Sequence, residues 1–476
     1  MGGGSAAGVW PVVQFGRSVQ NQCMILHDTL TNEHRELKPL DGTVRMYVCG
    51  VTPYSQSHVG HALKSIVFDV LRRYLEWSGQ PVRHVENFTD IDDKLIARAE
   101  ELGVSSDDLA EQNIEDYLGQ LRRLNVLPAH EYPRVTQMVP EVVRVVEGLI
   151  ERGHAYEAGG DVYYRVRSKP DYGKLSKRDI EDLQSGARID PGELKDDPLD
   201  FALWKAAKPG EPSWESPWGH GRPGWHIECS AMALHTLGEQ IDIHGGGADL
   251  IFPHHENEIA QSEGYTGKPL AQFWIHNALL RMGTDKMSKS LGNIVSIGDA
   301  LDEHGADAFR MLVLTSHYRS PVTYSDESME SAKAGAERLR DAAFAEPGPG
   351  SSGEAMDSQA ARERFREAMD DDLNTPRALA VLFELARDIN RGRTEGAATA
   401  EAQGTLRELA DVLGLTLQKA PSKVTEAAPF IDLLLELRQE LRQAKQYQLA
   451  DRVRDRLGEL GIEVKDGPHG STWDVK

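Results

Sequence analysis

The stretch YVCGVTPYSQSHVGHALKSIVFDVL, from Tyr47 to Leu71, decides the fold of this chain. It completes a β-prone apolar run that starts at Val44, and it then passes through a loop that contains Thr52-Pro53-Tyr54. Beyond that loop, apolar residues recur at the i, i+3, i+4 and i+7 spacing of a helix: Leu63, Ile66, Val67, Val70, Leu71, Tyr74 and Leu75. The stretch therefore predicts a buried strand, a loop and an amphipathic helix.

A second strand and a second helix follow the first pair. Gly79 and Pro81 end the first helix, the run from Val82 to Phe88 predicts a strand, and the acidic residues from Asp90 to Asp93 suit the opening turn of another helix. Strands that alternate with helices in this way predict a parallel α/β sheet. We expect residues 23–115 to form the first half of a Rossmann-like catalytic domain.

The remaining sequence predicts a split domain followed by two smaller units. Turn residues and charges dominate 116–222, which we interpret as a connective insertion, and β-prone runs near 240 and 273 predict that the sheet resumes within 223–300. The composition of 345–359 is typical of a linker. Helical spacing of apolar residues predicts a bundle at 360–420, and the same spacing recurs at Leu433, Leu434, Leu437 and Leu441. A small α+β unit at 421–476 ends in a helix and a β-hairpin.

Composition excludes several classes of protein. The 476 residues include only three cysteines, which are too few for a disulfide framework, so we expect free thiols in a reducing cytoplasm. No apolar run reaches the length of a membrane span, and residues 1–22 form a Gly-rich extension that we expect to be flexible, without the pattern of a secretory signal. The formal net charge of -22 argues against nonspecific adhesion to nucleic acid but leaves a specific RNA site open.

The four residues from His58 to His61, HVGH, lie where a predicted strand gives way to a helix. Ligands bind at this edge of open α/β sheets, and the free amides of the helix start favour phosphate. Glycine allows a nucleotide to approach, and two imidazoles can stabilise charge on a phosphate. The alternative is a helix-capping histidine beside a packing histidine, which the four letters do not exclude.

A lysine-containing loop, KMSKS at 286–290, follows the resumed sheet. Its lysines, Lys286 and Lys289, could close over a leaving pyrophosphate, although a lysine-rich surface loop is common. HVGH followed later by KMSKS resembles the signature of class I aminoacyl-tRNA synthetases.

Four further residues form a candidate metal site. His254 and Glu258 are four residues apart on a predicted helix, and with Cys49 and Cys229 they offer two thiolates, an imidazole and a carboxylate for zinc. Each also has an ordinary interpretation, as a small core residue or a surface pair. A zinc-protease motif requires a second histidine at 259, where the chain has Ile259, so that class is excluded.

Seven motifs together resemble the cysteinyl-tRNA synthetase family over nearly the whole chain: MYVCGVTPY, HVGHA, NFTDIDDK, GWHIECSAMA, DIHGGGADLIFPHHENEIAQSE, KMSKSLGN and DDLNTPRAL. The resemblance implies one zinc ion per chain on the four residues above, and that zinc binds the thiolate of L-cysteine. Such a soft, thiolate-preferring ion separates cysteine from serine better than packing can. Four protein ligands describe a closed site, so for the substrate to enter, either the ion becomes five-coordinate or one ligand loosens, with the oxygen donor Glu258 as the candidate.

The resemblance also assigns the remaining site. It implies that cysteine contacts Gly50, Thr89 and Trp225 in addition to Cys49. It implies that ATP, bound with Mg²⁺, contacts the following residues: His58, Gly60, His61, His244, Gly245, Gly247, Asp249 and Lys289. The catalytic residues are then His58, His61, Lys286 and Lys289, which stabilise charge on the phosphates, and no protein nucleophile is needed.

The partner implied for the C-terminal part is tRNA(Cys). The resemblance makes 301–344 a stem-contact region, directly after the KMSKS loop, and makes 421–476 the anticodon-binding domain. Candidate tRNA contacts are Arg438, Arg442, Arg452 and Trp473, from basic helical faces and one aromatic ring. A basic stripe is otherwise a solvated helix face. We expect a monomer without membrane contact.

Three rival functions share parts of this pattern. A ligase that acylates a glucosamine-inositol amine, as in mycothiol synthesis, shares the HVGH, zinc and KMSKS regions but is expected to lack the full C-terminal unit. A nucleotidyltransferase shares HVGH and leaves the zinc residues unexplained. A non-catalytic tRNA-binding relative is expected to have lost one of His58, His61 or Lys289, and all three are present.

Overall fold

The computed structural model describes residues 24–181, 194–283, 285–286, 295–348, 355–418, 423–467 and 470–475. The chain divides into two compact units, Met1–Thr416 and Leu417–Lys476, whereas the sequence predicts a boundary at 421. No helix among these described residues has the length and apolar character needed to cross a membrane.

The first unit begins with a hairpin and the first half of a parallel sheet. Its elements are β1 (Ile25–Asp28), β2 (Glu33–Glu36), β3 (Val44–Val51), α1 (Val59–Trp77) and β4 (Val82–Phe88). Strands β3 and β4 are parallel, and the helix between them buries its apolar stripe against the sheet. The order of strand, helix and strand that the sequence predicts is confirmed.

The next part of the chain carries an antiparallel sheet of its own. Its elements are α2 (Asp93–Leu102), α3 (Ser106–Arg123), α4 (Val139–Glu151), β5 (Ala155–Ala158), β6 (Asp161–Tyr164), β7 (Phe201–Ala206) and β8 (Gly221–Pro223). The four strands lie in the order β5-β6-β7-β8. They pack on α4 through buried side chains that include Tyr164 and Trp204. This small sheet separates the two halves of the parallel sheet in sequence.

The parallel sheet is completed by α5 (Trp225–Leu237), β9 (Ile241–Gly247), α6 (Glu256–Thr266) and β10 (Ala271–Asn277). Its strand order is β10-β9-β3-β4, and all neighbours are parallel. Tyr47 of β3 pairs with His244 of β9. Because parallel strands end at the same edge, the segments after all four strands meet there.

A mixed sheet and further helices follow: β11 (Leu280–Met282), β12 (Asp285–Lys286), α7 (Ile297–His304), α8 (Ala306–Leu314), β13 (Val322–Tyr324) and α9 (Asp326–Ala343). Three helices then form the predicted bundle: α10 (Gln359–Asp370), α11 (Thr375–Glu395) and α12 (Ala400–Val412). The apolar residues of α11 that the sequence places in the bundle core, including Ala378, Leu382 and Leu385, are buried.

The second unit contains α13 (Lys423–Gln443), α14 (Tyr447–Glu459), β14 (Ile462–Gly467) and β15 (Gly470–Val475). The predicted helix and hairpin are confirmed, since β14 and β15 pair antiparallel. The helix predicted by the spacing of Leu433, Leu434 and Leu437 is confirmed as α13, and these three side chains are 52%, 39% and 44% exposed. The neighbouring face of α13, with Leu435, is the one that packs on Leu457 and Val464, because a unit this small covers only one face of the helix.

Candidate functional site

A cavity of about 420 Å³ opens in the first unit where the four parallel strands end. Residues that follow β3, β4, β9 and β10 line it, together with residues at the start of α1 and α5. One end holds thiols and the other holds the HVGH residues and a glycine-containing loop. The cavity therefore lies at the edge of the sheet that the topology favours for ligands.

His58 and His61 line the cavity and also build the start of α1. His58 is the N-cap: its Nδ1 accepts from the Gly60 N–H at 3.2 Å, and its own N–H donates to His61 Nδ1 at 3.3 Å. The two rings are stacked, with centroids 3.8 Å apart. The capping interpretation and the ligand interpretation therefore hold together, because capping fixes both rings in the cavity wall.

At the opposite end of the cavity, the structure brings together Cys49, Cys229, His254 and Glu258. Their potential ligand atoms all lie within 4.8 Å of one another, and all four residues are buried. Glu258 Oε1 lies 3.3 Å from Cys49 Sγ and 3.0 Å from His254 Nε2. Two sulfurs, one imidazole nitrogen and one carboxylate oxygen at such distances fit a tetrahedral metal ion.

Different elements supply these four side chains. Cys49 lies near the end of β3, Cys229 is in α5, His254 is in the turn at 251–255, and Glu258 is in the first turn of α6. Two more histidines contact members of this cluster. His226 Nδ1 lies 3.0 Å from His254 Nδ1, and His244 Nε2 lies 2.8 Å from Glu258 Oε2. Such outer contacts orient metal ligands.

The electrostatics of the cluster favour a cation. A hydrogen bond with Cys49 lowers the pKa of Cys229 to about 6, whereas burial raises the pKa of Cys49 well above its usual value. Burial by itself would lower the pKa of His254, but the charges of Glu258 and Cys229 raise it to about 10. His244 and His254 outweigh the effect of burial on Glu258 and hold the pKa of that carboxyl low. The cluster therefore keeps buried negative charge that a metal ion would neutralise.

The predicted cysteine contacts lie beside this cluster. Gly50, Thr89 and Trp225 all line the cavity, and the Trp225 ring centroid is 4.5 Å from that of His254. Trp225 is 41% exposed, so its ring can cover a ligand at the cavity mouth.

The residues predicted to bind adenosine separate into two pairs. Gly247 and Asp249 line the cavity. His244 and Gly245 do not, and this part of the assignment is corrected: the His244 ring is fully buried and stacks on Trp274 at 4.3 Å. A Cβ on Gly245 would lie 2.3 Å from the Phe68 ring, so packing explains that glycine.

Sequence reasoning missed several polar side chains of the cavity, among them Lys64, Asn87 and Lys94. Asn87 Oδ1 accepts from the Gly50 N–H at 2.9 Å and lies 3.7 Å from Cys229 Sγ. The signal for Asn87 and Lys94 was their position within NFTDIDDK, which ends a strand at the ligand edge. Lys64 lies one turn after His61 on α1 and has no motif of its own.

The KMSKS lysines are not tested by the geometry. Lys286 belongs to the short strand β12, and only its main chain is described. Lys289 lies outside the described residues.

In the second unit, one predicted tRNA contact is wrong and another has a structural role. Arg438 is 1% exposed and donates through a terminal guanidinium nitrogen to Ser471 Oγ, so it ties the hairpin to α13 rather than facing solvent. Trp473 packs against the cluster of Leu435, Leu457 and Val464, and its Nε1–H donates to Asp432. Arg442 and Arg452 are exposed. Helical spacing alone could not distinguish the buried arginine from the exposed ones.

Comparisons with known proteins identify the family of the chain. Residues 36–334 match the model of the class I (C) tRNA synthetase catalytic domain, and residues 364–418 match the DALR domain. The chain is 56% identical over 456 residues to a cysteine--tRNA ligase of Dehalococcoides mccartyi, covering 95% of this chain and 100% of the relative. It is 47% identical over 466 residues to the cysteine--tRNA ligase of Symbiobacterium thermophilum, covering 94% and 98%.

Solved structures support the fold. The methionyl-tRNA synthetase of Mycobacterium tuberculosis in complex with methionyl-adenylate superposes with a TM-score of 0.56 at 18% identity, covering 83% of this chain and 94% of that one. A ternary complex of Agrobacterium radiobacter LeuRS with tRNA and LeuAMS gives 0.55 at 11% identity, covering 80% and 84%. The close relatives do not favour the sugar-amine ligase. The chain is thus a class I aminoacyl-tRNA ligase and belongs to the cysteine--tRNA ligase family.

Proposed function

We propose that this chain attaches L-cysteine to the 3′ end of tRNA(Cys) in two steps within this cavity. The carboxylate of cysteine attacks the α-phosphate of ATP to give cysteinyl-adenylate and pyrophosphate. A hydroxyl of the terminal tRNA ribose then attacks the cysteinyl carbonyl, so that the ester forms and AMP leaves. One observation carries the proposal: a single cavity joins a cluster of two thiols, an imidazole and a carboxylate to a pair of helix-capping histidines. The names of the close relatives support it.

One zinc ion per chain would be held by Cys49, Cys229, His254 and Glu258. Two sulfurs with one imidazole suit this ion better than magnesium or calcium, which prefer oxygen ligands, and the buried negative charge of the cluster supports a cation there. When bound, zinc supplies a Lewis acid that prefers the thiolate of cysteine to the hydroxyl of serine.

Glu258 has the geometry to give up its place to a substrate thiolate. Its Oε2 lies 2.8 Å from His244 Nε2, whereas its Oε1 faces Cys49 and His254. The carboxylate therefore keeps a hydrogen-bond partner even when Oε1 loses contact with a metal ion. This second partner supports Glu258 as the ligand that would loosen when cysteine binds.

The other residues of the cavity would bind and orient the cysteine, the ribose and the phosphates. Trp225 would cover the bound cysteine and exclude water, while Gly50 and Thr89 line its place. Asp249 can accept from ribose hydroxyls, and Gly60 and Gly247 let the nucleotide approach. His58 and His61 would donate to the phosphates of ATP, which we expect to carry Mg²⁺. We keep the sequence-based assignment of Lys286 and Lys289, which would stabilise the departing pyrophosphate.

The tRNA partner would meet the two units separately. We keep the sequence-based division, in which 301–344 contacts the acceptor stem and 421–476 the anticodon. Within the second unit, Arg442 and Arg452 are the exposed candidates that remain for phosphate contacts. We further propose that the chain works as a monomer in the cytoplasm.

The experiment that tests this function is cysteine-dependent exchange of pyrophosphate into ATP, followed by acylation of tRNA(Cys) or of glucosamine-inositol. We expect exchange with cysteine and not with serine, and acylation of the tRNA alone. Exchange without tRNA acylation would favour the amino-sugar ligase, and equal exchange with serine would contradict the role of zinc. The variant Cys229→Ser should lose bound zinc and cysteine affinity while it still binds ATP.

A further inference from the structure

Strand β3 contains a β-bulge at the position of Cys49. The pairing of β3 with β4 is regular up to Val48 opposite Glu86, and it resumes with Val51 opposite Phe88, so β3 carries one extra residue. A bulge of this kind re-aims a side chain and leaves main-chain groups without their ladder partners. Here it turns Cys49 toward the cluster at the thiol end of the cavity.

Two side chains satisfy the main chain of this bulge. Asn87 Oδ1 accepts from the Gly50 N–H at 2.9 Å. Lys64, from the second turn of α1, donates its Nζ to the carbonyl oxygen of Cys49 at 3.0 Å. The bulge is therefore fixed from β4 on one side and from α1 on the other.

Lys64 is an unusual residue for this task because it is buried. Its side chain is 8% exposed, and its Nζ lies 2.7 Å from Oε1 of Glu86, whose side chain is 5% exposed. Lysine and glutamate are almost never buried without a partner, since removing the charges from water costs several kcal/mol. Each of the two charges therefore needs the other in order to be buried here.

The same pair is connected to the start of α1. Tyr117 donates to Glu86 Oε1 at 3.0 Å and lies 2.9 Å from Ser65 Oγ. Ser65 Oγ lies 3.1 Å from the carbonyl oxygen of His61. A buried polar network thus runs from the main chain of Cys49 to the main chain of His61, that is, from the thiol end of the cavity to its phosphate end.

We propose that Lys64 and Glu86 are a positioning pair, which holds the bulge so that Cys49 Sγ stands at the right place for thiol selection. The proposal rests on the proposed function, because the position of Cys49 affects selection only if Cys49 is a metal ligand. Lys64 acts through the Cys49 carbonyl, and Glu86 acts by keeping the ammonium group there. The pair sets the geometry of the cluster before any substrate binds.

The double variant Lys64→Met with Glu86→Gln tests the pair. The single variant Lys64→Met would leave a buried carboxylate unpaired and could unfold the chain, whereas the double variant is neutral, similar in volume and still offers Tyr117 an acceptor. The matched control is Asp69→Asn with Arg310→Met. That pair is also buried, with Asp69 of α1 at 1% and Arg310 of α8 at 0% exposure, and neither residue lines the cavity.

The readouts are the absorption spectrum of the cobalt-substituted protein without cysteine, the affinity for cobalt, and the KM values for cysteine and ATP. We expect the double variant to shift the cobalt–thiolate bands and to raise the KM for cysteine about tenfold, which is the usual effect of one lost hydrogen bond to a charged donor. The KM for ATP should stay unchanged. The control pair should change thermal stability alone.

A folded double variant with the wild-type cobalt spectrum and wild-type KM for cysteine would overturn the positioning role. The variant Cys49→Ser separates this result from a failure of the proposed function. If Cys49→Ser also binds cobalt with the wild-type spectrum, Cys49 is not a metal ligand. Both the proposed zinc site and the positioning role of Lys64 and Glu86 are then rejected. If Cys49→Ser loses the thiolate bands as expected, only the role of Lys64 and Glu86 is rejected.

Discussion

Two turns at the same edge of the parallel sheet carry histidines, and they use them differently. In the β3–α1 turn, residues 52–58, His58 and the following His61 cap a helix and line the cavity. In the β9–α6 turn, residues 248–255, His254 and His255 are 2% and 0% exposed. The same residue type at the same edge is thus partly exposed in one turn and fully buried beside two thiols in the other. We propose that burial and the neighbouring groups, and not the strand-end position, separate a phosphate-binding role from a metal-binding role.

The largest effect should come from His254→Asn in the β9–α6 turn. Loss of one of four ligands in a buried site should weaken zinc binding by a thousandfold or more, because ligand bonds supply most of the free energy of such sites. Zinc affinity measured by competition with a chelator checks this, and ATP affinity should remain that of the wild type. Equal zinc affinity in the variant would remove His254 from the ligand set.

His61→Asn tests the β3–α1 turn in the opposite sense. Asparagine can still accept the hydrogen bond from the His58 N–H, so α1 keeps its cap, but a donor to the phosphates is lost. We expect the rate of adenylate formation to fall about a hundredfold, as for a single donor to a developing charge. Zinc content should not change. A variant that loses zinc but keeps the rate would reverse our assignment of the two turns.

Gly245→Ala probes how β9 supports its turn. A Cβ at 245 would lie 2.3 Å from the Phe68 ring, and overpacking in a buried sheet should lower the free energy of unfolding by about 3 kcal/mol. The control is Gly404→Ala in α12, where a Cβ meets nothing within 4 Å and helix propensity should raise stability by about 1 kcal/mol. Denaturant unfolding of both variants measures the difference.

A further buried histidine, His84, belongs to neither turn and therefore tests the effect of burial alone. Its ring nitrogens have no hydrogen-bond partner among the described residues. Burial lowers its pKa to about 4, the cations Arg72 and Lys64 lower it further, and the carboxylates Glu86 and Asp69 oppose this shift. The unfolded chain therefore binds this proton more strongly than the folded chain does. Stability from His84 is complete above about pH 6.5 and should fall by about 2 kcal/mol on going from pH 7 to pH 5.

Unfolding at several pH values checks this slope against His84→Leu, which cannot titrate at this position. The difference between the two proteins should grow as the pH falls. Parallel curves for the two proteins would mean that His84 is protonated, or solvated, in the folded state.

The sequence predicted the parallel sheet well because the relevant signals are local. Apolar periodicity placed β3, α1 and β4 correctly, and Val82–Phe88 matches the predicted strand residue for residue. The edge of the sheet at which ligands are expected to bind followed from the alternation of strands and helices alone. The four candidate zinc ligands came from residue chemistry and family resemblance, and the fold brings them within reach of one another.

What the sequence could not predict depends on the direction of individual side chains. His244 was assigned to the nucleotide, but the ring turns inward to Glu258 and Trp274. Arg438 was assigned to tRNA, but it is buried against Ser471. Lys64 was not noticed, because a lysine on an apolar helix face predicts solvent exposure. In each case the deciding partner lies on an element distant in the sequence.

The position of β9 next to β3 in the sheet has a consequence for the order of events during synthesis. Cys49 and Glu258 are 209 residues apart, and the small antiparallel sheet lies between them in the chain. A growing chain therefore exposes the thiol of Cys49 long before the residues that complete the cluster have left the ribosome. If the cluster holds the proposed zinc ion, that ion would bind late, and pairing with such high contact order is slow. Until β9 docks on β3, Cys49 is an unprotected thiol that oxidants and competing metal ions can reach.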